Sequence, residues 1–232
     1  YDRLSWVRLT HGYHRLAHLV FKETGWIFSH NLAHKCCKYA GIHSQARKHA
    51  KYKKPGEENI RFRNVVAGRW NAKYPLQIVT SDMTMFKNNG KWYEWTLLID
   101  VFNNEILDYE LGDTFDNFLV MKPAKRILEK AKSTGTQLLL HSDQGIQYSS
   151  AGYTNLLKSY NAIQSMSRAG TPRDNAVIES FFGRFKDVLR CRFQYWKQDD
   201  LKTVVDDAIY YFNYIRPVRK LKRKPPVQYR IE

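Results

Sequence analysis

Apolar positions along the chain change period several times, and each change predicts a different element. Over residues 77–85, 92–101 and 106–111 they form short runs rich in Val, Ile, Thr, Trp and Tyr, the composition of strands. Asn88-Asn89-Gly90 separates the first two runs. Asn and Gly accept the positive φ of a tight turn, so an antiparallel hairpin is expected, with the third strand continuing it. In residues 116–132 the period lengthens, with Phe118, Leu119, Ala124, Ile127 and Leu128 at helical intervals. A short strand over 136–141, a helix over 151–160 and a strand over 162–166 follow. Pro172 after Thr171 marks the start of another helix, with Asp174 placed to receive the cap, running to about Leu189. A last helix is expected over 201–214.

The first 50 residues follow a separate pattern. Leu16, Leu19 and Val20 at helical spacing, a break at Gly25, then Leu32, Ala33 and Tyr39 before Gly41 predict two or three short helices. A polar stretch over 48–58, containing Pro55 and Gly56, reads as a linker. The predicted division is a helical module over 1–50, a basic linker over 51–71, an α/β core over 72–215 and a basic tail over 216–232. Three strands, helix, strand, helix, strand and then helices is the order of a ribonuclease H-like domain, a mixed five-stranded sheet with flanking helices.

Charge sharpens this division. The 232 residues carry a net charge of +16, which for a chain of this size points to a polyanionic partner. Residues 1–71 hold 14 Lys and Arg against 4 Asp and Glu, and residues 216–232 hold 7 against 1. The stretch between has 17 of each. Basic flanks around a neutral middle suggest arms that grip phosphates while the centre does other work. No run approaches the roughly 18 apolar residues of a membrane span, and residues 1–10 lack a signal-peptide layout. Cys36, Cys37 and Cys191 cannot form a disulfide framework, so a reducing, intracellular setting is expected, without a membrane partner. A start at Tyr1 rather than Met is read as a missing upstream part.

The neutral middle holds the candidate chemistry. Asp82 falls within the first predicted strand, Asp143 follows the fourth, and Glu179 lies on the later helix. In a ribonuclease H-like sheet the first and fourth strands are neighbours, so their carboxylates converge and a packed helix adds the third. Three carboxylates suit two hard divalent cations, whose charge offsets the repulsion of the acids and which can serve phosphoryl transfer. The chain has no Gly-x-x-x-x-Gly-Lys loop, so the phosphodiester of a nucleic acid is a more natural substrate than a nucleotide.

Around these acids stand Asp82-Met83-Thr84, then His141-Ser142-Asp143-Gln144-Gly145 with Gln147-Tyr148, then Ser165-Met166-Ser167-Arg168, Gly170, Pro172, Asp174-Asn175-Ala176 and Glu179-Ser180-Phe181-Phe182. In these blocks the chain resembles the bacterial insertion-sequence transposases of the third family, which share a retroviral integrase-like core. The spacing agrees, with 60 residues between Asp82 and Asp143 and 35 between Asp143 and Glu179. Gly12-Tyr13-His14-Arg15-Leu16 through Gly41-Ile42 resembles the helix-turn-helix segment preceding that core. Tyr211, Asn213, Arg216-Pro217, Leu221 and Tyr229 resemble its C-terminal block. Gln144 and Val218 depart from the family's usual Arg and His.

The resemblance implies a DNA transposase of the Asp-Asp-Glu type that cleaves and joins strands at insertion-sequence ends. It further implies two Mg2+ ions per site, with Mn2+ able to substitute, held by Asp82, Asp143 and Glu179. Double-stranded DNA, both terminal repeats and target, would be the partner, bound by a homodimer or larger assembly in the bacterial cytoplasm at the nucleoid. Two rival readings are a non-catalytic DNA-binding protein on element ends and a ribonuclease acting on RNA hybrids.

Lys186 lies two helical turns beyond Glu179 on the same face, where the resemblance implies approach to a DNA end, and Gly183 between them leaves room for a phosphate. Arg168, Arg173 and Asn175 precede that helix as further candidate DNA contacts, Asp174 and Asn175 being read first as caps. Arg15, Lys35 and Lys38 in the N-terminal module, and Arg216, Arg219, Lys220, Lys222, Arg223 and Lys224 at the C-terminal end, complete the candidates. Trp92, Tyr93 and Trp95 could stack on bases, though alternation sends at least one into the core. Asp100 reads as a strand-end polar residue. The early histidines with Cys36 and Cys37 lack zinc spacing, because adjacent cysteines leave no chelating turn.

Overall fold

The computed structural model describes residues 11–27, 29–44, 62–113, 116–169, 171–194, 197 and 200–232. Two helices come first, α1 (Tyr13–Thr24) and α2 (His30–Tyr39). Gly25, at φ 71°, ends α1 in the left-handed conformation, and Ser29 caps α2 by accepting from Leu32 N. The predicted linker over 48–58 lies outside the described residues, as does Gly170.

Strands β1 (Ile78–Asn88), β2 (Lys91–Asp100) and β3 (Ile106–Gly112) form an antiparallel meander. Asn89 and Gly90 turn between β1 and β2 with φ of 45° and 80°, the doubly positive pair that matches a hairpin's twist. Then come α3 (Phe118–Ser133), β4 (Leu139–Ser142), the short α4 (Ile146–Ser149), α5 (Ala151–Ser159) and β5 (Ile163–Met166). β4 pairs parallel to β1 and β5 parallel to β4, giving the mixed order β3-β2-β1-β4-β5. This is the expected ribonuclease H-like sheet, with β1 at its centre.

Both faces of the sheet are covered, which is why the second half of β2 is buried without alternation. Trp95, Leu97 and Ile99 face one core, filled by Phe181, Phe182 and Phe185 of α6 (Ala176–Val188) and Val205 and Ala208 of α7 (Leu201–Tyr210). Leu98, Val79 and Leu140 face the other, filled by Val120, Ala124, Ile127 and Leu128 of α3 and Tyr153 and Leu157 of α5. At roughly 25 cal/mol per Å² of apolar surface, these two cores supply most of the drive for folding.

α6 and α7 each run on into a single π-helical turn, Leu189–Phe193 and Tyr211–Ile215. The second turn presents Asn213, whose Oδ1 accepts from Ile106 N at 2.9 Å and whose Nδ2 donates to Ile106 O at 2.9 Å. One amide side chain thus satisfies both backbone groups at the start of β3.

Residues 216–232, expected as a basic tail, fold back onto the core. Leu221, Pro226 and Val227 are buried, and α8 (Pro226–Ile231) is tied by a bidentate pair from Arg230 to Glu105. No helix among the described residues is long and apolar enough to cross a membrane.

Candidate active site

The β1–β4 register runs Ile78–Leu139, Val79–Leu140 and Thr80–His141. Continued by two residues, it sets Asp82 opposite Asp143, just beyond the end of β4. Aligned residues of parallel neighbours point to the same face, so the two carboxylates share one. α6 brings Glu179 in its first turn.

The three groups sense one another. Burial and then the Asp143 carboxylate push the Asp82 carboxyl up to about 7, with Glu179 adding to the rise and Met83 N–H and Lys186 opposing it. Burial and Asp143 also raise Glu179. Asp82 Oδ1 accepts from Met83 N at 2.7 Å, and Asp143 Oδ1 from Gly145 N at 2.9 Å. A Cβ on Gly145 would stand 3.0 Å from that same oxygen, so glycine allows the loop to close on the carboxylate.

Three oxygen donors fit a hard divalent cation, and the raised Asp82 carboxyl marks a place where added positive charge is favourable. Among the described residues, no three His, Cys, Asp or Glu side chains are gathered closely enough to hold one ion. Asp82 and Asp143 are half-buried and Glu179 is exposed.

A polar clamp, not assigned from sequence, sets these acids in place. His141, two residues before Asp143, is fully buried, and its Nε2 lies 2.7 Å from Asp174 O while its Nδ1 lies 2.8 Å from Ser165 Oγ. A carbonyl can only accept, so the proton resides on Nε2 and Nδ1 accepts from the serine, which itself accepts from Val65 N. Burial keeps this imidazole neutral by lowering its pKa to about 4. Thr80, two residues before Asp82, donates from Oγ1 to Asn175 Oδ1 at 2.8 Å. The clamp therefore joins β1 and β4 to the turn that launches α6. Tyr148 lies behind the pair, its hydroxyl 3.0 Å from Ser81 Oγ and its pKa raised by burial and by Asp82.

This arrangement corrects the expected caps. Pro172–Asn175 is a 3-10 turn, and α6 begins only at Ala176 without a side-chain cap. The Asp174 carboxylate instead takes bonds from Arg168 N, Nε and Nη2, a charge-assisted fork that outcompetes a cap. Asn175 is spent on Thr80 and buried, so its side chain does not face outward.

Lys186 is near enough to oppose the rise in Asp82 and lines a cleft of about 350 Å³ with Met85, Phe86, Lys87, Trp92 and Arg190. Trp92 is exposed beneath Lys87 Nζ at 6.0 Å, whereas Trp95 is core. A Cβ on Gly183 would meet nothing within 4 Å, so internal packing does not demand glycine there. Lys35, Lys38, Arg173, Arg219 and Lys222 are exposed, Lys220 turns its ammonium inward to Val101 O at 3.3 Å, Arg223 is half-buried, and Lys224 pairs with Glu232. Arg216 is 5% exposed with its guanidinium 4.7 Å over the Phe212 ring, so it stands inside the fold and not with the surface cations. Asp100 is structural, its oxygens accepting from Leu76 N and Phe102 N.

The integrase core domain family matches residues 72–172, and a second integrase core family matches residues 161–226. The putative transposase InsK of insertion sequence element IS150 from Escherichia coli (strain K12) is 35% identical over 178 residues, 75% of this chain and 62% of that protein. The chain thus spans less than two thirds of InsK. An uncharacterized transposase-like protein of Haemophilus influenzae is 31% identical over 205 residues, 88% of this chain and 94% of that one. The catalytic core domain of HTLV-2 integrase, solved in complex with magnesium, superposes with a TM-score of 0.56 at 16% identity, over 70% of this chain and all of that one. At that identity the likeness concerns the fold.

Proposed function

Since the chain belongs to the bacterial insertion-sequence transposases built on an integrase core, we propose that it cleaves DNA at the ends of such an element and joins the freed 3′ hydroxyl to another phosphodiester. The observation that carries this reading is the placing of Asp82 against Asp143 across the β1–β4 register, with Glu179 electrostatically coupled to both.

In this reading Asp82, Asp143 and Glu179 hold two Mg2+ ions, for which Mn2+ can substitute. When bound, the ions lower the pKa of water and offset charge on the attacking and leaving oxygens. The chain's own groups do the positioning. The His141 and Thr80 bonds tie the strands that carry Asp82 and Asp143 to the turn that launches α6 and its Glu179. Lys186, on the same face of α6 as Glu179, is placed to take a phosphate of the DNA end. The open surface at Gly183 lets the backbone approach between them. The exposed cations Lys35, Lys38, Arg173, Arg219 and Lys222 contact DNA farther out, and a dimer or larger assembly pairs the two ends.

A labelled element end incubated with Mg2+ and target DNA tests the reading. Wild type should yield joined product, and Asp143→Asn should bind the DNA without joining it. Equal low signal from both, with DNA binding intact, returns the chain to a non-catalytic DNA-binding protein.

A further inference from the structure

At the junction of α1, α6 and the segment after α7, the fold gathers cations without acids. Elsewhere four arginines are answered by carboxylates among the described residues: Arg126 by Asp108 and Glu110, Arg168 by Asp174, Arg190 by Asp187 and Arg230 by Glu105. Among the described residues no carboxylate pairs with Arg15, Arg184 or Arg216. Arg216 is buried, and its pKa is held well below the usual value by burial and then by Arg15, with Arg184 adding to the effect and a side-chain hydrogen bond with Tyr211 opposing it. Burial and Arg15 lower Arg184 likewise. One Arg184 nitrogen donates to Ser180 Oγ at 2.6 Å, but its Nε is buried without a hydrogen-bond partner.

Uncompensated buried cations are costly, and the cost falls when a counter-charge enters. A cavity of about 50 Å³ opens beside Arg15, lined by His14, Arg15, His18, His30, Arg219 and Arg223. At roughly 15 Å³ of such space per water, it holds a few waters or one tetrahedral oxyanion in their place. Its walls are stiff. Arg223 lies in a turn closed by Val218 N to Lys224 O and Arg223 N to Val218 O, and keeps a left-handed φ of 63°. Its guanidinium reaches His30 Nε2 at 3.3 Å, and the His14 and His30 rings meet edge to face at 4.1 Å.

We propose that this junction is a receptor for one phosphate group, in which Arg15, Arg219 and Arg223 grip the oxygens, the histidines complete the rim, and Arg184 and Arg216 behind them supply positive field. Resting on the DNA-joining reading above, the phosphate is a backbone phosphodiester, and its capture fastens the N-terminal helices to the core. The groups facing it are His14, Arg15, His18 and Lys22 from α1, His30 from α2, Arg184 from α6, and Arg219 and Arg223. None of these groups is a carboxylate, so the site favours an anion.

The test uses the full chain and the double variant Arg219→Gln/Arg223→Gln, whose altered side chains lie at the rim. Thermal unfolding is followed at pH 8, where inorganic phosphate is a dianion, with phosphate against sodium chloride at equal ionic strength. Phosphate at about a hundredfold its dissociation constant should raise the wild-type Tm by about 5 °C beyond chloride and leave the double variant unmoved. No excess over chloride, or an equal gain in the variant, overturns the receptor. In a second arm, the slope of log binding constant against log salt for a duplex should fall by about 1 in the variant. An unchanged slope beside a retained phosphate effect overturns the duplex as source and assigns the receptor to free phosphate. End joining is scored separately. Joining without a phosphate effect sinks this inference alone, and a phosphate effect without joining sinks the functional reading alone.

Discussion

Replacing Asp82 by Asn should make the metal-free protein more stable at alkaline pH, the opposite of what removing a well-made ionic contact does. Burial and Asp143 push the Asp82 carboxyl up to about 7. Its ordinary value is about 4, and each pH unit corresponds to about 1.4 kcal/mol, so ionising it in the folded chain costs up to about 4 kcal/mol. The sign follows from proton counting. The folded state binds the extra proton, so stability is full below about pH 4, is lost as pH rises through 7, and is fully lost by pH 8. Asn keeps the oxygen that accepts from Met83 N and carries no charge. In EDTA at pH 8, Asp82→Asn should therefore exceed wild type by up to about 4 kcal/mol, on the order of 10 °C in Tm for this size of chain. The two should converge at pH 4. Mg2+ should raise wild type and narrow the gap, because it binds only where the acids are intact. Differential scanning calorimetry across pH and metal decides. A variant less stable than wild type at pH 8 in EDTA, or a pH-independent difference, refutes the idea that burial and the neighbouring carboxylates make the Asp82 charge costly.

His141 is buried neutral with its pKa lowered to about 4, so wild type should lose about 3 kcal/mol as pH falls from 6.5 to 4. His141→Gln should flatten that slope in urea titrations at several pH values. Asn213→Leu leaves Ile106 N and O unpaired and should cost about 2–4 kcal/mol by the same titrations at neutral pH; a cost under about 1 kcal/mol would contradict its pairing role. Gly183→Ala should stabilise by about 0.5–1 kcal/mol, since its Cβ meets nothing, while weakening binding of an element end if DNA crosses that face. Lys186→Ala should lower the salt slope of DNA binding by about 1; an unchanged slope would contradict its contact with a phosphate.

Elements dictated by neighbouring residues were legible from sequence. Asn89-Gly90 forecasts the hairpin because both residues tolerate the required φ, and the apolar runs forecast five strands because burial imposes their spacing. The same patterns put Asp82 on a strand, Asp143 at a strand end and Glu179 on a helix, and the structure has them there. What sequence left dark were choices of partner. Asp174 looked like a cap, yet the 3-10 turn sets it one turn ahead of α6, where Arg168 claims it. Arg216 looked like part of a basic surface, yet the π-helical turn before it rotates it over Phe212. His141 and Thr80 stood in plain view beside the acids, but their bonds reach to residues 33 and 95 positions away, and such closure exists only once the sheet is assembled.

The central claim is that Asp82, Asp143 and Glu179 together hold the divalent ions used on DNA. Crystals of the full chain with an element end and Mn2+, measured at the manganese absorption edge, test it most directly. Two anomalous peaks ligated by Asp82, Asp143 and Glu179 are predicted, with both lost in Asp143→Asn. Clear DNA density with no manganese at these carboxylates, or with manganese held elsewhere, would contradict it.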